Sequence, residues 1–268
     1  MNFTGKVAIV TGGAQGIGKA YANALLNIGM KVCVCDILEE QAKKFIESLP
    51  TEQRNNIIFQ KCDVSSFAEF KNAFDKVISA FGRIDMLVNN AGIMNEKNFQ
   101  KVIEVNILSN SPPSAVVHQH IINAHFQVQT WLGNHLEPQE KGWILRNEFL
   151  EPIKTVLLPA LGGLEPCFLA PVYCATKHAV VGLTKSFGHE YHFKKTGIKV
   201  NAVCPGPIET DLSRTFTEKT IDAEEAKKFI ASLTTIKPEE VAKALLQLLQ
   251  DDKNGAFIRI DFKGLRYA

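Results

Sequence analysis

The feature that most restricts the fold is a glycine-rich run near the start of the chain, TGGAQGIG at residues 11–18. It follows an apolar stretch of strand length, residues 7–10, and opens a segment with helical periodicity, residues 18–28. In that setting a strand turns sharply into a helix, whose N-terminus presents unpaired N–H groups and a partial positive charge. The run therefore predicts a turn that holds a phosphate group.

Three of the four glycines in the run have different expected roles. Gly12 allows the tight turn, Gly16 lets backbone amides approach a pyrophosphate, and Gly18 permits close packing of the helix. Gln15 and Ile17 complete the loop, which contains no Lys or Arg. An isolated glycine pattern can also be a turn that binds no ligand. The residue at the end of the next strand distinguishes a phosphate-binding turn from such a turn.

That strand ends at Asp36, about 20 residues after the glycine run, where dinucleotide-binding proteins carry an acidic residue. A carboxylate at this point accepts hydrogen bonds from both ribose hydroxyls and repels a 2′-phosphate. The loop also lacks the cation that would bind a 2′-phosphate. The alternative is a solvated carboxylate at the end of a strand. We predict that the chain binds a dinucleotide, with NAD favoured over NADP.

Strand-length apolar stretches alternate with helical segments along the chain, which is the pattern of βαβ units. The predicted strands are residues 7–10, 32–35, 57–62, 86–88, 155–158, 199–204 and 256–260. The predicted helices are residues 18–28, 39–49, 67–81, 173–193, 224–233 and 239–250, with Gly29 and Gly82 as helix ends. This order predicts an α/β fold, a Rossmann-type doubly wound parallel sheet in three α/β/α layers. Without repeats or a linker, residues 1–268 are expected to form a single domain.

Residues 107–160 interrupt this pattern. They hold both tryptophans and four of the seven histidines, and Pro112 and Pro113 bar a helix that would begin at Asn106. The spacing of the histidines matches no standard zinc site, so no metal is predicted; they are His118, His120, His125 and His135. The segment is either a real insertion or the product of a mistaken reading frame or splice.

Composition excludes several classes of protein. A formal net charge of +2 with 22% charged residues gives no reason to expect nucleic acid as a partner. No stretch reaches the roughly 18 apolar residues that cross a bilayer, and no signal peptide is expected. The six cysteines form no CxxC pair and are expected to be buried free thiols, which favours the cytoplasm; they are Cys33, Cys35, Cys62, Cys167, Cys174 and Cys204.

The sequence YCATK places Tyr173 and Lys177 four residues apart at the start of a helix, so both side chains project from one face. A tyrosine, with a reference pKa of about 10, is a poor base at neutral pH, but a neighbouring ammonium group is expected to lower that pKa. Tyr173 could then take a proton from an alcohol. Taken alone, a Tyr–Lys pair at this spacing is more often an exposed surface pair.

Five motifs in the same order resemble the short-chain dehydrogenase/reductase family. They are the glycine run, CDV at 62–64, NNAG at 89–92, YCATK at 173–177 and CPGPIET at 204–210. The resemblance covers residues 1–109 and 161–268. It implies that NAD is the cofactor and that a small-molecule secondary alcohol, which a lipid-like compound would fit, is oxidised to a ketone. It also implies that the protein forms a homodimer or a tetramer. The helix after Asn106 that commonly builds the subunit contact is, however, the interrupted one.

The resemblance also implies roles for individual residues. Tyr173 would accept the proton, Lys177 would also hold the nicotinamide ribose, and Asn106 would organise water beside Lys177. Asn90 and Ala91 would line the adenosine and ribose side. The remaining cofactor contacts implied by the motifs are Ile37 beside Asp36, Asp63 and Val64 near the adenine, and Ile208 and Thr210 at the nicotinamide amide.

One position departs from the family pattern. The family has a catalytic serine thirteen residues before the tyrosine, and this chain has Ala160 there, within TVLLPALGG. Thr155 and Ser109 are only distant candidates for a replacement hydroxyl, and Ala170 stands where a polar substrate contact is expected. Loss of such a donor typically lowers turnover by about 10² to 10³. Three interpretations stay open: an impaired NAD-dependent dehydrogenase, a non-catalytic NAD-binding protein, and an aberrant gene product.

Overall fold

The computed structural model describes residues 2–107, 153–159 and 163–268. In these residues one sheet of eight strands has the order β3-β2-β1-β4-β5-β6-β7-β8, and every neighbouring pair is parallel except β7 with β8. The strands are β1 Val7–Thr11, β2 Lys31–Asp36, β3 Ile57–Lys61, β4 Met86–Asn89, β5 Ile153–Leu157, β6 Ile198–Pro205, β7 Phe257–Asp261 and β8 Gly264–Tyr267. The strand order reverses between β1 and β4, where open α/β sheets bind their ligands.

The helices of the described residues connect these strands. They are α1 Gly16–Asn27, α2 Glu39–Ser48, α3 Thr51–Arg54, α4 Phe67–Phe81, α5 Phe99–Asn106, α6 Pro171–Phe187, α7 Glu190–Thr196, α8 Asp211–Arg214, α9 Phe216–Lys219, α10 Ala223–Ala231 and α11 Pro238–Asp251, with a 3₁₀ helix at Glu96–Asn98. The predicted bounds of α4 are confirmed, and Gly82 ends that helix with a φ of +77°. The order of elements confirms the predicted doubly wound Rossmann-type fold.

Side chains alternate between two hydrophobic clusters on opposite faces of the sheet. Along β1, Ala8 and Val10 belong to one cluster, whereas Val7 and Ile9 belong to the other. Both clusters consist largely of side chains with almost no exposure. Strands with both faces buried in this way form the middle of a three-layer structure.

Two predicted elements are wrong in their bounds. The helix predicted for residues 173–193 is two helices, because α6 ends at Phe187 and α7 begins after His189. Gly188 lies between them, and a Cβ there would be 2.3 Å from the Cα of Gly255, a tertiary contact that no local pattern reveals. The strand predicted for residues 256–260 is Phe257–Asp261, and β8, which was not predicted, pairs with it as an antiparallel edge. The helix α5 was not predicted.

All six cysteines are free thiols as predicted; five are buried, and Cys167 is partly exposed. Among the described helices none has the length and apolarity needed to span a bilayer. The described residues also contain no group of three or more His, Cys, Asp or Glu side chains that could hold a metal ion. Several predicted features lie outside the described residues: Ser109, Pro112, Pro113, Ala160, His118, His120, His125 and His135.

Candidate active site

The glycine-rich loop joins β1 to α1 at the carboxyl end of the sheet. Gly12 and Gly16 have φ values of +61° and +55°, a backbone conformation that favours glycine. Gln15 is the N-cap of α1, its side chain makes no capping hydrogen bond, and no acidic residue lies in the first turn. The N–H groups and partial positive charge of this helix end are therefore available to an anion.

Gly18 is the tightest position of the loop, and replacing it with alanine tests the packing. A Cβ there would lie 2.1 Å from the carbonyl oxygen of Gly12 and 2.6 Å from Nδ2 of Asn90. We expect Gly18→Ala to lower the free energy of unfolding by about 1–3 kcal/mol, measured by urea denaturation. Gly182→Ala is the matched control, because a Cβ at Gly182 inside α6 meets nothing within 4 Å. An equal loss in both variants would contradict the packing role of Gly18.

Asp36 lies beside this loop, as its position in the sequence predicts. Its side chain is buried at the end of β2, where Oδ2 accepts the N–H of Ala14 at 2.9 Å and Oδ1 accepts the N–H of Leu38 at 3.0 Å. The carboxylate is thus fixed next to the phosphate-binding turn. Ile37, the next residue, is largely exposed. This arrangement fits the ribose of a dinucleotide, since each carboxylate oxygen keeps a further lone pair for a hydroxyl.

The NNAG motif, at the end of β4, is hydrogen-bonded to the glycine loop. Nδ2 of Asn90 donates to the carbonyl oxygens of Thr11 and Gly12 at 2.9 and 3.0 Å. The N–H groups of Asn90 and Ala91 both donate to Oγ1 of Thr11, at 3.1 and 3.0 Å. Thr11 was not among the predicted site residues, although it is the first residue of the glycine run. Asn90 therefore shapes the loop, besides the cofactor contact that the sequence predicts for it.

The segment after β6 reaches the same loop. A Cβ on Gly16 would lie 3.3 Å from Cγ2 of Thr210, so these two residues are neighbours. Thr210 begins α8 in a capping box with Ser213. Ile208 is buried and forms an isolated bridge with Ile236. The structure thus brings Thr210, a predicted nicotinamide contact, to the phosphate turn.

Asp63 has local partners at the end of β3. Its Oδ1 accepts the N–H of Ser65 at 2.8 Å and the hydroxyl of Ser65 at 2.6 Å. Nζ of Lys101 lies 3.8 Å from its Oδ2. Val64, the next residue, lines the cavity described below. The adenine contact predicted for Asp63 stays a prediction.

Tyr173 and Lys177 come together on the first two turns of α6. Nζ of Lys177 lies 5.4 Å from the centroid of the Tyr173 ring and donates to the carbonyl oxygen of Leu158 at 2.9 Å. Lys177 is 6% exposed. The chain contains a second pair at the same spacing, Tyr191 and Lys195 on α7, but there the tyrosine is 55% exposed. Lys177 is buried and Tyr173 is partly buried, whereas Tyr191 and Lys195 are both exposed, and this separates the predicted catalytic pair from a surface pair.

The pKa values of this pair correct one prediction. The sequence predicts that Lys177 lowers the pKa of Tyr173, whereas burial raises the pKa of Tyr173 well above its ordinary value. Burial also lowers the pKa of Lys177 to about 8. Loss of hydration disfavours the charged form of each group. At neutral pH Tyr173 is therefore less ionised than the motif indicates.

Asn106 is buried at the end of α5 and is committed to two partners. Its Oδ1 accepts the N–H of Ile93 at 2.9 Å, and its Nδ2 donates to the carbonyl oxygen of Ile93 at 3.0 Å and to Oγ1 of Thr176 at 3.0 Å. Both amide hydrogens are thus used, and only a lone pair on Oδ1 stays available. Through Thr176 the asparagine is tied to α6, a link that sequence reasoning missed.

A cavity of about 50 Å³ lies where these elements meet. That volume holds a small number of water molecules. Nδ2 of Asn89 is buried and has no hydrogen-bond partner among the described residues, so a polar guest in the cavity would satisfy it. The residues that line the cavity include Thr11, Asn89, Ala91, Asn106, Leu158 and Lys177.

Thr155, which the sequence offers as a distant candidate for a replacement hydroxyl, lies inside the sheet. It pairs with Leu87 and Val200 inside the sheet and is 2% exposed. Its Oγ1 is buried without a hydrogen-bond partner in the described part of the chain. A hydroxyl in the sheet interior is remote from the strand ends, where the candidate site lies.

Comparisons with known proteins agree with this geometry. The family profile described as short chain dehydrogenase matches residues 6–126, and the profile described as enoyl-(acyl carrier protein) reductase matches residues 156–258. The chain is 34% identical to 15-hydroxyprostaglandin dehydrogenase [NAD(+)] of Bos taurus, across 100% of this chain and 95% of that protein. It is 33% identical to the Mus musculus protein of the same name, across 100% and 94%. A solved short-chain dehydrogenase structure from Bacillus anthracis superposes with a TM-score of 0.71 at 24% identity, across 97% and 96% of the two chains.

Proposed function

The chain belongs to the short-chain dehydrogenase family of oxidoreductases, which act on alcohols, and on that premise we propose that it is an NAD-dependent dehydrogenase of the 15-hydroxyprostaglandin dehydrogenase type. Its reaction is the reversible oxidation of a secondary alcohol to a ketone. The observation that carries the proposal is the pairing of Tyr173 with the buried Lys177 beside a phosphate-binding turn. An exposed pair, such as Tyr191 with Lys195, would support no chemistry.

The described residues fit NAD. The uncapped N-terminus of α1 suits a pyrophosphate, and Asp36 suits a ribose with free hydroxyls. Ile37, Asp63, Val64, Asn90 and Ala91 line the adenosine side, and Ile208 and Thr210 the nicotinamide side. When bound, NAD⁺ supplies a hydride acceptor whose positive ring also favours a phenolate nearby.

The chain's own residues handle the proton. The phenolate oxygen of Tyr173 takes the hydroxyl proton of the substrate and becomes a phenol, and Lys177 favours the ionised form and holds a ribose hydroxyl. Asn106 fixes α5 against α6 and offers one lone pair to a water molecule in the cavity. Because burial raises the pKa of Tyr173 and lowers that of Lys177 to about 8, turnover is expected to rise with pH as the phenol ionises and to fall once Lys177 loses the proton that favours the phenolate.

An apolar substrate suits the approach to Tyr173. Phe168, in the segment before α6, is 65% exposed, and its ring lies 6.2 Å from that of Phe229 on α10. The ring of Phe216 on α9 also lies close to that of Phe229, with 6.3 Å between the ring centroids. Three aromatic rings near the start of the catalytic helix favour a lipid-like secondary alcohol over a small polar one.

The rival function is a non-catalytic NAD-binding protein, and Ala160 is the residue that favours it. Calorimetric titration with NAD and NADP, followed by an NADH absorbance assay on hydroxylated fatty acids and simple secondary alcohols, separates the two. NAD binding with turnover supports the dehydrogenase, and NAD binding without turnover supports the rival. No binding would contradict both and point to an aberrant gene product. A transcript sequence across residues 107–160 tests that last case.

Asp36 sets the choice between NAD and NADP. Replacing it with serine removes the charge that repels a 2′-phosphate, so the preference for NAD is expected to fall by about ten- to a hundredfold. Binding of both dinucleotides, measured by calorimetry, gives the ratio directly. Asp75→Asn on the exposed face of α4, where Asp75 pairs with Lys71, is the control and should leave the ratio unchanged. A preference that survives Asp36→Ser would contradict the assignment.

Family membership also supports three broader proposals. The chain acts as a single domain, with residues 107–160 as an atypical segment, works in the cytoplasm and pairs into a homodimer. The free cysteines agree with a reducing compartment. Light scattering during size-exclusion chromatography tests the dimer, and a single cooperative unfolding transition tests the single domain.

A further inference from the structure

Glu96, in the 3₁₀ helix after the NNAG motif, binds the start of the helix that carries Tyr173. Its Oε1 accepts the N–H of Tyr173 at 2.8 Å, and its Oε2 accepts the N–H of Val172 at 3.0 Å. A helix leaves its first N–H groups without intrahelical partners. The N-cap of α6 is Ala170, whose side chain offers no hydrogen bond. A carboxylate distant in sequence therefore caps this helix.

The carbonyl group of Tyr173 is held from the same part of the chain. Oγ1 of Thr176 donates to that carbonyl oxygen at 2.7 Å and accepts from Nδ2 of Asn106 at 3.0 Å. Asn106 in turn binds both backbone groups of Ile93, three residues before Glu96. The N–H of Tyr173 is thus bound directly by Glu96, and its C=O is held through Thr176, which Asn106 binds. Both groups depend on the segment from Ile93 to Asn106.

We infer that Glu96 is a positioning residue for Tyr173. It holds the first turn of α6, from which the phenol projects, in place of a local capping side chain. A negative charge suits a helix N-terminus. The inference rests on the proposed function, because it gives Tyr173 the proton transfer. A displacement of about 1 Å at such a group is enough to lower turnover by about a hundredfold.

Glu96→Ala and Glu96→Gln test the inference, with Glu190→Ala as control. Glu190 also lies in a helix first turn, on α7, where it pairs with the exposed Lys194. We expect Glu96→Ala to lower kcat by about ten- to a hundredfold and leave the calorimetric Kd for NAD within about twofold. Glu96→Gln keeps one acceptor oxygen, so its kcat should lie between those of Glu96→Ala and the wild type. Thermal unfolding of each variant shows whether it is folded.

Labelled tyrosine gives a readout that needs no turnover. The chain has four tyrosines, and comparison with Tyr173→Phe assigns the signals of Tyr173. In Glu96→Ala the Tyr173 amide should exchange about tenfold faster and its ring signals should shift, whereas Glu190→Ala should change neither. If the wild type shows no turnover, the proposed function fails on its own, and a shifted ring still supports positioning by Glu96. Unchanged exchange and ring signals in folded Glu96→Ala, or a kcat equal to the wild type's, would overturn the inference.

Discussion

Replacing Tyr173 with phenylalanine lowers kcat by about 10² to 10⁴, the contribution typical of a positioned acid–base group. In the proposed function the oxygen of Tyr173 accepts the substrate proton next to the buried Lys177, and phenylalanine keeps the ring while removing that oxygen. The binding of NAD should hardly change, because the glycine loop and Asp36 are separate from this hydroxyl. NADH absorbance measures the rate, and calorimetry measures the binding.

The chain supplies a matched control for this variant. Tyr191 and Lys195 repeat the four-residue spacing on α7, where Nζ of Lys195 lies 2.6 Å from the hydroxyl of Tyr191. Tyr191→Phe removes the same oxygen from an exposed pair and should leave kcat unchanged. Equal losses in the two variants would mean that the effect is not catalytic. Full activity in Tyr173→Phe would exclude Tyr173 as the proton acceptor.

Sequence patterns predicted the sheet and the positions of the motifs on its strands and helices because both depend on local chemistry. The glycine run required a turn, and apolar runs of strand length placed β1 to β4 within one or two residues of their observed bounds. YCATK put Tyr173 and Lys177 on one helical face, which is a matter of spacing alone. These features need no knowledge of distant residues.

The errors arose where residues far apart in sequence meet. Gly188, between α6 and α7, closely approaches Gly255, and the cap of α6 is Glu96, so both contacts join residues that are distant in sequence. The predicted direction of the Tyr173 pKa shift was wrong because burial, which depends on the whole fold, raises that pKa. Periodicity and spacing carry no information of this kind.

Ala160→Ser should raise kcat by about 10² to 10³, since a hydroxyl at this position restores the donor that stabilises developing charge on the substrate oxygen. The assignment of the position follows from its spacing, thirteen residues before Tyr173. The flanking backbone supports it, because the carbonyl oxygen of Leu158, two residues earlier, accepts a hydrogen bond from Nζ of Lys177. The same NADH assay measures the gain.

The double variant Ala160→Ser with Tyr173→Phe shows whether the gain is catalytic. A serine that orients substrate for Tyr173 can act only when the phenol is present, so the double variant should be as slow as Tyr173→Phe alone. A gain in Ala160→Ser that disappears in the double variant means that the natural chain is a dehydrogenase held back by one missing hydroxyl. Suppose that Ala160→Ser binds NAD and shows no gain in kcat. The missing serine is then not what limits turnover, and the non-catalytic NAD-binding function explains the chain better than the dehydrogenase does.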